Sequence, residues 1–204
     1  MIEIRFHGRG GHGAVTAAKV LALAAAKEDK YVLAFPFYGV ERRGAPVTAF
    51  ARVDDKPVRE RAMIKNPDIV VIFDESLVLW PSLLRKYGRE KLLATSRVNV
   101  LDGLKEGGLV VLNTKKSPDM IKKMLERPDI KVATVDATSV SIKYGLGTAF
   151  EPIPNMPMLG ALIKASGIVS LETTLKSAEE IAPGRVEQNL NAIKEAYENT
   201  VVGE

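Results

Sequence analysis

The chain has 204 residues, 46% apolar and 26% charged, which suits one globular domain with a sizeable core. Its net charge of +4 is spread along the chain, so nucleic acid is not implied, although a few anionic phosphates would suit that balance. The absence of cysteine excludes disulfides and a thiolate-held iron–sulfur cluster, and His7 and His12 alone make a poor metal pair.

No stretch approaches the ~20 apolar residues that span a bilayer. The N-terminus has neither the basic segment nor the apolar core of a signal peptide, so a cytoplasmic protein is expected. Ile2, Ile4 and Phe6 alternate with Glu3, Arg5 and His7, the period of a strand. Gly8, Gly10, Gly11 and Gly13 follow, and then an Ala-rich run, 14–26, without Pro or Gly, which predicts a helix. Strand, glycine turn and helix together aim free N–H groups at an anion. Gly8, Gly10 and Gly13 spell G-x-G-x-x-G, yet the next strand, 31–35, ends in Phe-Pro-Phe without the acid that would hold a ribose. Glu28 and Asp29 lie at that strand's wrong end, and no Lys-Ser/Thr follows Gly13 as in a P-loop. A tight turn with no ligand remains the simpler alternative.

Residues 36–46 have no helical or strand period and carry Phe37, Tyr38, Arg42, Arg43, Gly39 and Gly44 between two prolines. Arginine suits phosphate or carboxylate through its planar fork; the alternative is a solvated Glu41–Arg pair on a surface loop. Residues 47–53 form the next strand, with a turn at 54–57 and a hairpin to a short strand near Val58. The apolar run 68–74 predicts a central parallel strand, with Asp74 at its carboxyl end either in a site or capping the next helix. A helix over 76–87 is interrupted by Pro81, and 88–98 reads as an irregular insertion. Asn99 caps a short helix ending at Gly107-Gly108. Residues 109–113 are a buried strand, and Ser117-Pro118 opens a helix whose apolar face is Met120, Ile121, Met124 and Leu125. Residues 131–136 are a further strand.

The segment 145–157 breaks the rhythm with Gly145, Gly147, Pro152, Pro154 and Pro157 around Asn155. It is either a rigid loop presenting one amide or a plain surface crossover. Helices follow from Met156, with Val186, Leu190, Ile193 and Tyr197 on one face, and the end from Val201 frays. The expected fold is α/β: one domain over 1–204, with a mostly parallel doubly wound sheet flanked by helices and a helical C-terminal segment.

Four separated motifs resemble one family. They are Gly8-Arg9-Gly10-Gly11-His12-Gly13-Ala14, Ala34-Phe35-Pro36-Phe37-Tyr38-Gly39-Val40-Glu41-Arg42-Arg43-Gly44-Ala45-Pro46, Asn66-Pro67-Asp68 and Pro154-Asn155-Met156-Pro157-Met158-Leu159-Gly160-Ala161. Together they are similar to the gamma subunit of 2-oxoacid:ferredoxin oxidoreductases, the pyruvate enzyme foremost and the 2-oxoisovalerate enzyme next. The resemblance runs from Met1 to about Gly167. Two departures stand out: His12 replaces a usual Gln, and Met156 stands where Thr often follows the Asn.

The resemblance implies a hetero-oligomeric enzyme. Alpha and beta subunits hold thiamine diphosphate; iron–sulfur clusters on a delta subunit, and sometimes on beta, pass electrons to ferredoxin; coenzyme A accepts the acyl group. It implies that this chain holds no cofactor alone, has no catalytic or metal-binding residue of its own, and helps bind coenzyme A through Gly10, Gly11, His12, Gly13, Arg42, Arg43, Gly44 and Asn155. Two other readings stay open: a purely architectural subunit, and a free-standing nucleotide-binding protein.

Overall fold

The computed structural model describes residues 1–37, 43–93, 98–182 and 184–203. The alternating N-terminal stretch is strand β1 (Ile2–Arg9), an interior strand of a seven-stranded sheet. The strands β2 (Tyr31–Phe37), β3 (Pro46–Asp54), β4 (Ile69–Ile72), β5 (Leu109–Asn113), β6 (Lys131–Val135) and β7 (Val201–Val202) complete it in the order β2-β3-β1-β4-β5-β6-β7. β1, β4, β5 and β6 pair in parallel; β3 opposes both β1 and β2, so β2 shares the common direction, and β7 reverses it. The sheet is therefore mostly parallel, as expected of an α/β chain.

One face is covered by α1 (Ala14–Lys27), α6 (Asn155–Ser166), α7 (Leu171–Ile181) and α8 (Val186–Asn199). In α1 the buried Ala14, Ala17, Ala18, Leu21, Ala24 and Ala25 recur at helical spacing, and their small side chains seat the helix against Ile4, Phe6, Ala49 and Ala51. A Cβ on Gly160 of α6 would lie 2.3 Å from the Ile193 carbonyl of α8, so glycine sets how closely those helices approach. On the other face, α4 (Pro118–Leu125) packs Ile121 and Leu125 against Val110, Leu112 and Val132. Ser117 caps α4, with Pro118 at its first position. Two short helices, α2 (Pro81–Tyr87) and α3 (Arg89–Leu93), with α5 (Ala137–Lys143) and a 3-10 turn at Glu75–Leu77, complete the described elements.

Five local expectations are corrected. No strand forms near Val58, because β3 makes its hairpin with β2 instead. Residues 99–107 form turns and not an Asn99-capped helix. Pro81 starts α2 and does not interrupt a helix, since its missing N–H is no loss in a first turn. Met120 is half exposed and outside the core, unlike Ile121 beside it. The terminal Val201 and Val202 pair with Thr134 and Ala133 of β6 and do not fray.

The polar side of the central strands does not face solvent. Arg5, His7 and Arg52 are buried beneath the segment between β3 and β4. Arg5 donates Nε to His7 Nε2 (2.9 Å) and Nη2 to the carbonyls of Val100 (2.9 Å) and Asp102 (2.6 Å). Burial, helped by the Arg5 charge, pushes His7 down to about 3, so it serves as a neutral acceptor. Arg52 donates to Glu3 Oε1 (2.9 Å) and to the carbonyls of Glu60 (3.2 Å) and Ala62 (2.7 Å). Two guanidinium groups thus supply donors to a segment that has no ladder of its own. No described helix is long and apolar enough to cross a membrane.

Candidate functional site

β1 ends at Arg9 and the chain turns through Gly10, Gly11 and His12 into α1, whose N-cap is Gly13. Gly13 has φ 73°, and a Cβ there would lie 2.6 Å from Asn155 Nδ2. Only glycine satisfies both the left-handed backbone and that approach. The turn is stapled to the chain entering β3: Gly10 donates to the Ala45 carbonyl (2.8 Å), and Gly44 donates back to Gly10 (3.1 Å). Arg9 adds a bond to the Gly44 carbonyl (3.0 Å), another to Ser76 Oγ (2.7 Å) and an ion pair with Asp74. Asp74 also accepts the Ser76 N–H (2.8 Å), capping the 3-10 turn Glu75–Leu77. Burial pushes the Asp74 carboxyl up, but Ser76 and Arg9 outweigh it and hold it below the usual carboxylate range.

Gly10, Gly11, His12, Arg43 and Gly44 line one cavity of about 340 Å3, closed on its far side by the segment from Gly147 to Ile153. Five predicted residues are thereby brought together. The first turn of α1 is not part of the wall; the glycine turn itself is. Arg43 is 80% exposed and donates to Glu151 Oε2 across the mouth (3.1 Å). Arg42 lies outside the described residues. Asn155 is not at a loop tip: it is the first residue of α6, buried against Gly13, with its Oδ1 accepting the Met156 N–H (2.9 Å). Asn155 therefore supports the glycine turn from beneath and does not line the cavity.

His12 stands between this cavity and a second of about 610 Å3 at the carboxyl ends of β4, β5 and β6. Its Nδ1 accepts the Arg9 N–H (3.3 Å), which leaves the proton of the neutral ring on Nε2. Burial lowers its pKa, with Asp74 opposing and Arg9 adding to the shift. Any titration of His12 thus falls below the ordinary imidazole range. A neutral Nε2–H donor is also what a glutamine amide would offer at this position. The larger cavity is the poorer anion site, because Asp74, Glu75 and Asp136 outnumber Lys115 and Lys116 in its lining. No group of three or more His, Cys, Asp or Glu side chains able to hold a metal occurs among the described residues.

Sequence reasoning missed Arg9, Phe150 and Glu151. Arg9 sits inside the glycine motif, but its partners Asp74 and Ser76 are 65 and 67 positions away. The available signal for Phe150 and Glu151 was an aromatic and an acid between Gly147 and Pro152, a segment bounded by turn residues.

The profile of the family described as Pyruvate ferredoxin/flavodoxin oxidoreductase matches residues 3–199. The chain is 50% identical over 205 residues to the Pyruvate/ketoisovalerate oxidoreductases common subunit gamma of Thermococcus kodakarensis, covering 100% of both chains. The crystal structure of pyruvate oxidoreductase subunit PORC from Thermotoga maritima is similar with a TM-score of 0.76 and 35% identity, over 100% of this chain and 98% of that one. A 2-oxoglutarate:ferredoxin oxidoreductase from Magnetococcus marinus, solved with 2-oxoglutarate, coenzyme A and succinyl-CoA bound, is similar with a TM-score of 0.65. It is 17% identical and matches over 96% of this chain and 30% of that one, a likeness of fold alone.

Proposed function

The chain belongs to the pyruvate ferredoxin/flavodoxin oxidoreductase family as a gamma subunit of a 2-oxoacid enzyme, and we propose that it is the non-redox subunit that helps bind coenzyme A while pyruvate is oxidatively decarboxylated to acetyl-CoA and ferredoxin is reduced. The observation that carries this reading is the single cavity shared by the glycine turn, Arg43 and Gly44. The exposed Arg43 guanidinium suits the phosphates of coenzyme A, with the backbone of Gly11 beside it, since the N–H groups of Gly10, His12 and Gly44 are taken by the carbonyls of Ala45, Arg9 and Gly10. Among the described residues Arg43 is held only by an exposed pair with Glu151, worth at most about 1 kcal/mol, so a phosphate can displace the carboxylate. Gly13 and Asn155 act by shaping the turn, and His12 offers a neutral N–H.

The remaining chemistry goes to the other subunits. This chain has no cysteine for a cluster, so the iron–sulfur centres fall to other subunits, and the family resemblance assigns thiamine diphosphate to the alpha and beta subunits and the clusters to delta and sometimes beta. Its contribution is to place the thiol near the acyl group, a gain in effective molarity rather than local acid–base chemistry. The Thermococcus relative is by name common to pyruvate and ketoisovalerate oxidoreductases, which supports 2-oxoisovalerate as a second substrate.

In the assembled enzyme, Arg43→Ala is expected to raise KM for coenzyme A by about five- to tenfold, the scale of one charge-assisted contact. Coenzyme-A-independent decarboxylation stays unchanged. Equal loss of both activities would favour a purely architectural subunit.

A further inference from the structure

The segment facing the glycine turn is a hydrogen-bonded hairpin. Ile153 donates to the Leu146 carbonyl (2.9 Å), Thr148 to the Glu151 carbonyl (3.1 Å), and Glu151 N–H to Thr148 Oγ1 (2.9 Å), while Gly147 and Pro152 form a bridge. At its tip Phe150 is 98% exposed, and no other large apolar side chain among the described residues is as exposed. The exposure is thus imposed by an ordered turn. An aromatic face held in water at the rim of a cavity is unfavourable without an occupant.

The same cavity holds Arg43 and the glycine turn. A flat apolar face and a cation beside the Gly11 backbone, around one space, match the two halves of a nucleotide, base and phosphate. The geometry points to Phe150 as the platform on which the adenine ring of coenzyme A stacks, with Arg43 and the glycine turn on the phosphates. This rests on the coenzyme A reading and assigns the nucleotide end of the ligand to this cavity. The specificity that follows is for the adenine-bearing thiol over the bare pantetheine arm.

The test uses the assembled enzyme carrying Phe150→Ala, Phe150→Trp or Arg43→Ala, assayed with coenzyme A and with pantetheine as acyl acceptors. Phe150→Ala is expected to raise KM for coenzyme A about tenfold, the scale of one base–aromatic stack. It leaves KM for pantetheine unchanged, and Phe150→Trp restores the native value. A rise with both thiols, or poorer assembly of the subunits, would make Phe150 a contact to another chain and overturn the proposal. If Arg43→Ala alone raises KM for coenzyme A, stacking fails and the coenzyme A reading stands. If neither variant changes KM for coenzyme A, the coenzyme A reading fails as well.

Discussion

Arg52→Met is expected to lower the stability of the folded chain by about 3 kcal/mol, measured by urea denaturation, with unchanged slope. Arg52 is the largest fully buried side chain among the described residues, 1% exposed. Methionine fills much of its volume, so the loss is polar. The carbonyls of Glu60 and Ala62 lose their donor, and Glu3 loses its buried cation. The exposed pair between Lys176 and Glu172 is the contrast: an i,i+4 surface bridge, screened by solvent, whose removal is expected to leave stability almost unchanged. A measured loss below 1 kcal/mol at Arg52 would mean that the segment before β4 is held by something other than the guanidinium groups.

Gly13→Ala is expected to cost about 2–4 kcal/mol and to distort the turn at the site. The backbone share comes from φ 73°, which an L side chain adopts unwillingly. The steric share comes from Asn155, whose Nδ2, Cγ and Cβ lie 2.6, 2.9 and 3.0 Å from the added carbon. The two shares separate in a double-mutant cycle. Asn155→Ala in the Gly13→Ala background removes the Nδ2 and Cγ contacts, so about half of the loss returns. Simple additivity of the two substitutions, read by the same denaturation, would show that they do not touch.

The central strands were legible because their chemistry is local. Residues 69–72 and 109–112 are continuous apolar runs, the mark of parallel strands covered on both faces, and both are fully buried. The glycine turn and its helix were legible for the same reason. The fate of the polar half of β1 was not. Alternation places Glu3, Arg5 and His7 on one side, but whether that side is wet depends on a segment some 60 residues away. The two-residue β7 was missed because Val201 and Val202 carry no strand signal apart from β6, which supplies the ladder. At the site, the glycine motif, the composition of residues 36–46 and the family resemblance named the turn, Arg43 and Gly44, which the structure places along one cavity. Asn155 was placed at a loop tip because its flanking prolines suggested one, yet Pro154 is the cap of α6 and Asn155 its first residue. The Arg43–Glu151 pair joins positions 108 apart and has no sequence signature.

The most direct test of coenzyme A binding by this subunit is hydrogen–deuterium exchange of the assembled enzyme with and without coenzyme A. Protection is expected at the backbone of residues 10–13, 43–45 and 147–153 of this chain. Protection confined to the other subunits, with these three segments unchanged, would contradict the assignment and leave this chain an architectural part of the enzyme.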